Sequence, residues 1–133
     1  MVLYRATCSC AQLQVTCTVE PLRVSICHCV ECQRRTGSVF STNARFPRGA
    51  VNLAGTFQTY RRTGDSGKNL TFHFCPQCGS TVFWDLDSVP DVIAVAVGAF
   101  AKPDFPAPRV SVYESRRHSW VPVASMLGLE HYD

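Results

Sequence analysis

Along residues 13–19, LQVTCTV, apolar and polar side chains alternate one for one. Leu13, Val15, Cys17 and Val19 fall on one side, and Gln14, Thr16 and Thr18 on the other. That period of two predicts a half-buried strand. Residues 39–46 (VFSTNARF), 56–62 (TFQTYRR), 69–74 (NLTFHF) and 109–114 (RVSVYE) have similar β-branched and aromatic character. Residues 91–100, DVIAVAVGAF, are almost continuously apolar and rich in Val and Ile, which predicts a central strand covered on both faces. Turn signals separate these runs: FPRGA, LAGT, TGDSGKN and KPDFPAP. Helical periods are confined to 30–36 (VECQRRT) and 124–132 (ASMLGLEHY). Many short strands at close intervals predict a mainly β fold. With neither repeat nor linker, a single domain over residues 1–133 is the expectation.

Charge and composition narrow the function without choosing it. Thirteen basic and ten acidic side chains give a net charge of +3. That small, scattered excess does not favour nucleic acid as a partner. No apolar run reaches the ~20 residues of a membrane span, and no export signal is read in MVLYRATCSC. The expected compartment is therefore the cytoplasm, where thiols stay free or hold metal.

Cysteine changes the picture. Eight cysteines occur as Cys8-x-Cys10, Cys27-x-Cys29-x-x-Cys32 and Cys75-x-x-Cys78, with Cys17 alone. Neighbours at i and i+2 bridge poorly as disulfides, whereas a tight turn can offer two ligands to one metal. Seven clustered thiols complete one tetrahedral site and leave three for another. Cys8 and Cys10 with Cys75 and Cys78 would make a closed, structural four-cysteine site. In FCPQCGS, Gly79 would let the turn aim backbone amides at sulfur. Cys27, Cys29 and Cys32 would then keep a fourth position for water or substrate, as catalytic zinc does. Spacing also allows this trio to recruit Cys75 or Cys78 instead, or His28 as a fourth ligand.

Other residues carry lesser expectations. Cys17 reads as a core residue, and His73 as lying on the polar face of its strand. Arg34 and Arg35 follow the trio and are candidates for binding a substrate carboxylate. Thr36 or Ser38 is placed to meet a developing alkoxide, and His28 is the candidate base within the motif.

These motifs resemble a known family. The N-terminal Cys-x-Cys, CHCVECQRRTGS, FCPQCGS and a late Arg…Ser-Trp segment are similar to the glutathione-dependent formaldehyde-activating enzymes. Centromere protein V belongs to the same family. The resemblance spans roughly residues 3–122. It implies a zinc-stapled β-tent of small stacked antiparallel sheets with few short helices. It implies two Zn²⁺ per chain, one on Cys8, Cys10, Cys75 and Cys78 and one on Cys27, Cys29 and Cys32. It implies a carbon–sulfur lyase-like activity that adds glutathione, or a similar small thiol, to an aldehyde such as formaldehyde. Two other readings stand beside it: a zinc-stapled module that binds protein or nucleic acid, with Arg61, Arg62, Lys68, Arg116 and Arg117 as its basic residues, or a thiol switch that releases zinc on oxidation. The oligomeric state is left open.

Overall fold

A computed structural model describes residues 3–122 and 128–133. The chain runs through β1 (Tyr4–Thr7), β2 (Gln14–Cys17), β3 (Arg23–Cys27), helix α1 (Val30–Thr36), β4 (Ser41–Pro47), β5 (Val51–Ala54), β6 (Gln58–Thr63), β7 (Asn69–Phe74), β8 (Thr81–Leu86), β9 (Val92–Ala96), β10 (Val110–Val112) and β11 (Glu130–His131). The fold is mainly β, as the alternation predicts. Three strands form an antiparallel sheet in the order β1-β2-β5, and eight form a second in the order β11-β10-β3-β4-β9-β8-β7-β6. From β3 to β6 every pairing is antiparallel, but β10 runs parallel to both β3 and β11. No helix among the described residues is long and apolar enough to cross a membrane.

Register sorts the larger sheet into two faces. Val24, Ala44, Val95, Phe83 and His73 stand in one cross-strand row, each opposite the next. The apolar members of that row pack with Tyr4, Ala6, Val15 and Cys17 of the small sheet to form the main core. Leu13, Val15 and Cys17 are fully buried, and Gln14 and Thr16 between them are not, so the period-two reading holds as far as Cys17; Val19, beyond the end of β2, is exposed rather than on the buried side. One residue along, the opposite face reads Arg23, Arg45, Ala94, Trp84 and Phe72 in a single row. Phe72, Trp84 and Ala94 pack there with Leu70, Leu86 and Ala96. This second face carries arginines at one end and aromatic rings at the other, and it forms the floor of the candidate site.

Several expectations are corrected. His73 is not on a polar face: it is buried at 7% exposure. It stacks on Phe83 at 4.4 Å between centroids, and its Nε2 lies 2.7 Å from Asp85. β7 lies between β6 and β8, so Phe72 fills one face and His73 the other, and strand alternation alone does not expose either. The apolar run 91–100 is a central strand only over Val92–Ala96; Val97–Phe100 turns into a 3₁₀ helix that brings Phe100 onto Tyr4, Phe46 and Phe105. Within 124–132, residues 124–127 lie outside the described residues, and Glu130–His131 is strand rather than helix because it pairs with β10. β3 and β8, which the alternation passes over, lie inside the large sheet.

Candidate functional site

The first cysteine group joins two distant turns. Cys8 and Cys10 follow β1, and Cys75 and Cys78 lie in the β7–β8 turn. Their sulfurs lie within 4.8 Å of one another. Cys8 and Cys10 are 3.6 Å apart and Cys10 and Cys75 3.7 Å. Four sulfurs bonded to one tetrahedral zinc at about 2.3 Å would sit about 3.8 Å from each other, so this donor set fits such an ion. N–H groups already aim at it. Leu13 N lies 3.3 Å from Cys8 Sγ, and Gln12 Nε2 and Gln77 N lie 3.0 and 3.4 Å from Cys75 Sγ. Gly79 makes the turn possible at φ 80°, its N–H donating to Cys75 O at 2.8 Å. Hydrogen bonds from the Ser80 hydroxyl and then from backbone amides lower the Cys78 thiol to about 5.

The second group is assembled within six residues of chain. Cys27 ends β3, Cys29 is the N-cap of α1, and Cys32 lies in the first helical turn. The cap brings Cys29 Sγ to 3.2 Å from Cys32 N, a helix-terminus geometry that a short polar side chain normally provides. Gly37 ends the helix at φ 73°. All three sulfurs are buried and lie within 4.8 Å of one another. Hydrogen bonds from Cys27 and then Cys29 outweigh burial and lower the Cys32 thiol to about 2, with Ser41 and the Arg35 charge adding to the effect. Cys27 is raised because it donates to Cys29 and Cys32. Three mutually close, buried sulfurs suit a soft divalent metal. Both cysteine groups can therefore hold a metal ion, and they pair as the first partition has it.

His28 does not join the trio. It is fully buried, its Nε2 lies 3.0 Å from Ser111 Oγ, and burial lowers its imidazole pKa. Cys17 is a core residue, its thiol raised to about 12 by burial. Thr36 Oγ1 is committed to Cys32 O at 2.8 Å and accepts from Ser38 N.

Beside the trio lies a cavity of about 240 Å³. Cys27, Cys29 and Cys32 line it together with Trp84 and Phe72 of the sheet and Tyr113 just beyond β10. Tyr113 packs on the three cysteines and sits in the left-handed region at φ 56°, which is strained for an aromatic residue. Of the adjacent arginines, Arg35 enters the cavity and Arg34 does not. The Arg35 guanidinium lies 4.5 Å from the centre of the Trp84 ring and 5.0 Å from that of Phe72. Arg34 points outward and pairs with Glu31 at 2.7 Å. Arg23, Arg45, Arg62 and Lys68 also line the cavity.

Between residues 3 and 116 the chain matches the family described as glutathione-dependent formaldehyde-activating enzyme. The chain belongs to that family. Its fold is also similar to a crystal structure of a Rhodobacter sphaeroides protein from structural genomics. That similarity has a TM-score of 0.57 at 19% identity and covers 97% of this chain and 99% of that one. No match was found among the curated proteins.

Of this family member's cavity, the motifs point to the sulfurs and Arg35 but pass over Arg23, Arg45, Trp84 and Tyr113. A signal for one of these does exist. In RVSIC, Arg23, Ser25 and Cys27 alternate, so any strand that aims Cys27 at a site aims Arg23 the same way. Of the suggested basic residues, Arg62 and Lys68 line the cavity, Arg61 pairs with Asp87, and Arg117 donates to the backbone carbonyls of His118, Ser119 and Val121.

Proposed function

We propose that the chain is a single zinc-binding domain, active in the cytoplasm, that adds a small anionic thiol, glutathione or similar, to a small aldehyde such as formaldehyde. One observation carries this reading. Unlike the four-sulfur group, the three-sulfur group has no fourth ligand among the described residues, and it opens onto a cavity lined by cations. Family membership supports it. Zinc held by Cys27, Cys29 and Cys32 would supply Lewis acidity and favour the ionised form of a nearby thiol.

The chain's own residues do the rest. Arg35 is held over Trp84 and Phe72, with Nε and Nη2 buried and lacking a partner among the described residues. It offers two N–H donors to an anionic group of the thiol, orienting the sulfur toward Cys27, Cys29 and Cys32. Tyr113, packed on the sulfurs, keeps water from that side. In the reaction the thiol loses its proton and its sulfur forms a bond to the carbonyl carbon. The C=O π pair moves to oxygen, which takes up a proton. The product is the hydroxymethyl thioether, and no atom or electron is left over. Arg34, paired with Glu31 outside the cavity, has no place in this step.

The test is exchange NMR with ¹³C-formaldehyde and glutathione. Wild-type protein should accelerate exchange between free and thiol-bound carbon above the uncatalysed rate. Cys29→Ala should fold normally by circular dichroism and lose the acceleration. Wild-type rates in that variant would sink the proposal.

A further inference from the structure

Five cations line the cavity beside the three sulfurs: Arg23, Arg35, Arg45, Arg62 and Lys68. Among the described residues none of them forms an ion pair; the pairs involve Arg34, Arg48, Arg61 and Lys102 instead. Asp65 is the one acidic residue on the lining. The arrangement is costly to the protein alone. Arg23 and Arg45 stand directly opposite on β3 and β4, where like charges repel. Burial, and then the Arg23 charge, lowers the Arg45 pKa. Arg23 Nε, Arg35 Nε and Arg35 Nη2 are buried donors with no partner among the described residues. A bound anion would relieve each of these strains.

Register says where the anion would sit. Arg23, Arg45, Ala94, Trp84 and Phe72 form one cross-strand row, and Arg35 reaches that row from α1 by lying over Trp84. Ala94, the small residue between Arg45 and Trp84 in that row, lines the cavity. Cys27 lies four residues along β3 from Arg23, which is about 13 Å at 3.3 Å per residue. A ligand with its sulfur at the trio therefore meets the cationic row at its far end. A carboxylate brings one negative charge and two oxygens. A phosphate monoester brings about −1.5 to −2 and three acceptor oxygens, which suits facing arginines better. An α-amino acid head would bring an ammonium group into a row with no acid in it.

Resting on the reading of the trio as a thiol site, we infer that the thiol bound in this cavity carries a phosphate monoester on a chain of about 13 Å, held by Arg23, Arg45 and Arg35. The experiment is calorimetric titration of the purified protein, at fixed ionic strength, with 4′-phosphopantetheine, pantetheine, glutathione and inorganic phosphate. Phosphopantetheine should bind at least about tenfold more tightly than pantetheine, and inorganic phosphate should displace it. Arg45→Met should shrink the difference to under about threefold, and Arg34→Met should preserve it. Should Arg45→Met fail to fold, Arg23→Gln asks the same question. Equal binding of the two pantetheines, or tighter binding of glutathione than of phosphopantetheine, would overturn the inference. The exchange assay, run on the same thiols, separates the two claims. Phosphate discrimination without catalysed exchange supports this inference and sinks the proposed reaction. Catalysed exchange of glutathione without phosphate discrimination does the reverse.

Discussion

The two cysteine groups use the same ligand atom for opposite ends. The four-sulfur group takes two sulfurs from each of two turns more than sixty residues apart in sequence, beside the small sheet on one side and the β7–β8 hairpin on the other. Amide donors already point at its sulfurs. The three-sulfur group is local, built from a strand end and a helix N-terminus, and it faces a cavity. The number of sulfurs matters less than what closes around them. A metal that joins distant segments stabilises the fold, whereas one held within a single loop leaves the fold to the core.

The sharpest way to break this contrast is Cys75→Ala against Cys29→Ala. Metal bound at a closed four-cysteine site contributes on the order of 10 kcal/mol to folding, comparable with the whole stability of a small domain. Cys75→Ala should therefore lose the cooperative thermal transition in circular dichroism. Cys29→Ala should keep it and bind one equivalent less metal by elemental analysis, two falling to one. A folded Cys75→Ala protein would show that the main core suffices and that the two groups do not differ in this way.

Arg35→Met tests the open side of the comparison. It removes a guanidinium that lies over two rings and lines the cavity and that pairs with no carboxylate among the described residues. Affinity for an anionic thiol should fall by about tenfold or more, while the melting temperature moves little. An unchanged affinity would remove Arg35 from the site.

A smaller effect tests the hairpin that carries Cys75 and Cys78. Asp85 on β8 bridges Arg48 and His73. Burial opposes its ionisation, but hydrogen bonds from Arg48 and His73 outweigh it and hold the carboxyl below its ordinary value. A depressed carboxylate stabilises the fold above its ordinary titration range, and that stability is lost as pH falls through the depressed value. Asp85→Asn should therefore cost about 0.5–1 kcal/mol at pH 7, after allowance for solvent screening. In thermal melts the gap from wild type should close as the solution is acidified below about pH 4. A gap that is constant with pH would assign the effect to packing alone.

Much of this was legible in the chain. Alternation in 13–19 placed Leu13, Val15 and Cys17 in the core, and cysteine spacing divided the sulfurs as the fold brings them together. What escaped was set by pairing across strands. Arg23 and Arg45 are twenty-two positions apart and become neighbours only through the β3–β4 register. His73 is buried because β6 and β8 flank it, a fact its own strand does not carry. Tyr113 reaches the sulfurs through a parallel pairing of β10 with β3, a contact that no local pattern encodes.

The smallest expected effect is the most informative about reading sequences. Arg34 and Arg35 are adjacent, and composition treats them alike. A helix turns about 100° per residue, so on α1 the two leave on different sides. Arg34 pairs with Glu31, three residues back, and its side chain is 72% exposed. Arg35 lies over the sheet's aromatic row. Exposed pairs of this kind contribute about 0.2–0.5 kcal/mol. Arg34→Met should shift the melting temperature by about a degree and leave thiol affinity and exchange rate at wild-type values. Were Arg34→Met to weaken thiol binding as Arg35→Met does, the cationic field of the whole helix would govern recognition. The cavity's stacked guanidinium would then lose its special role, and with it the distinction between an open sulfur site and a closed one would rest on the metal alone.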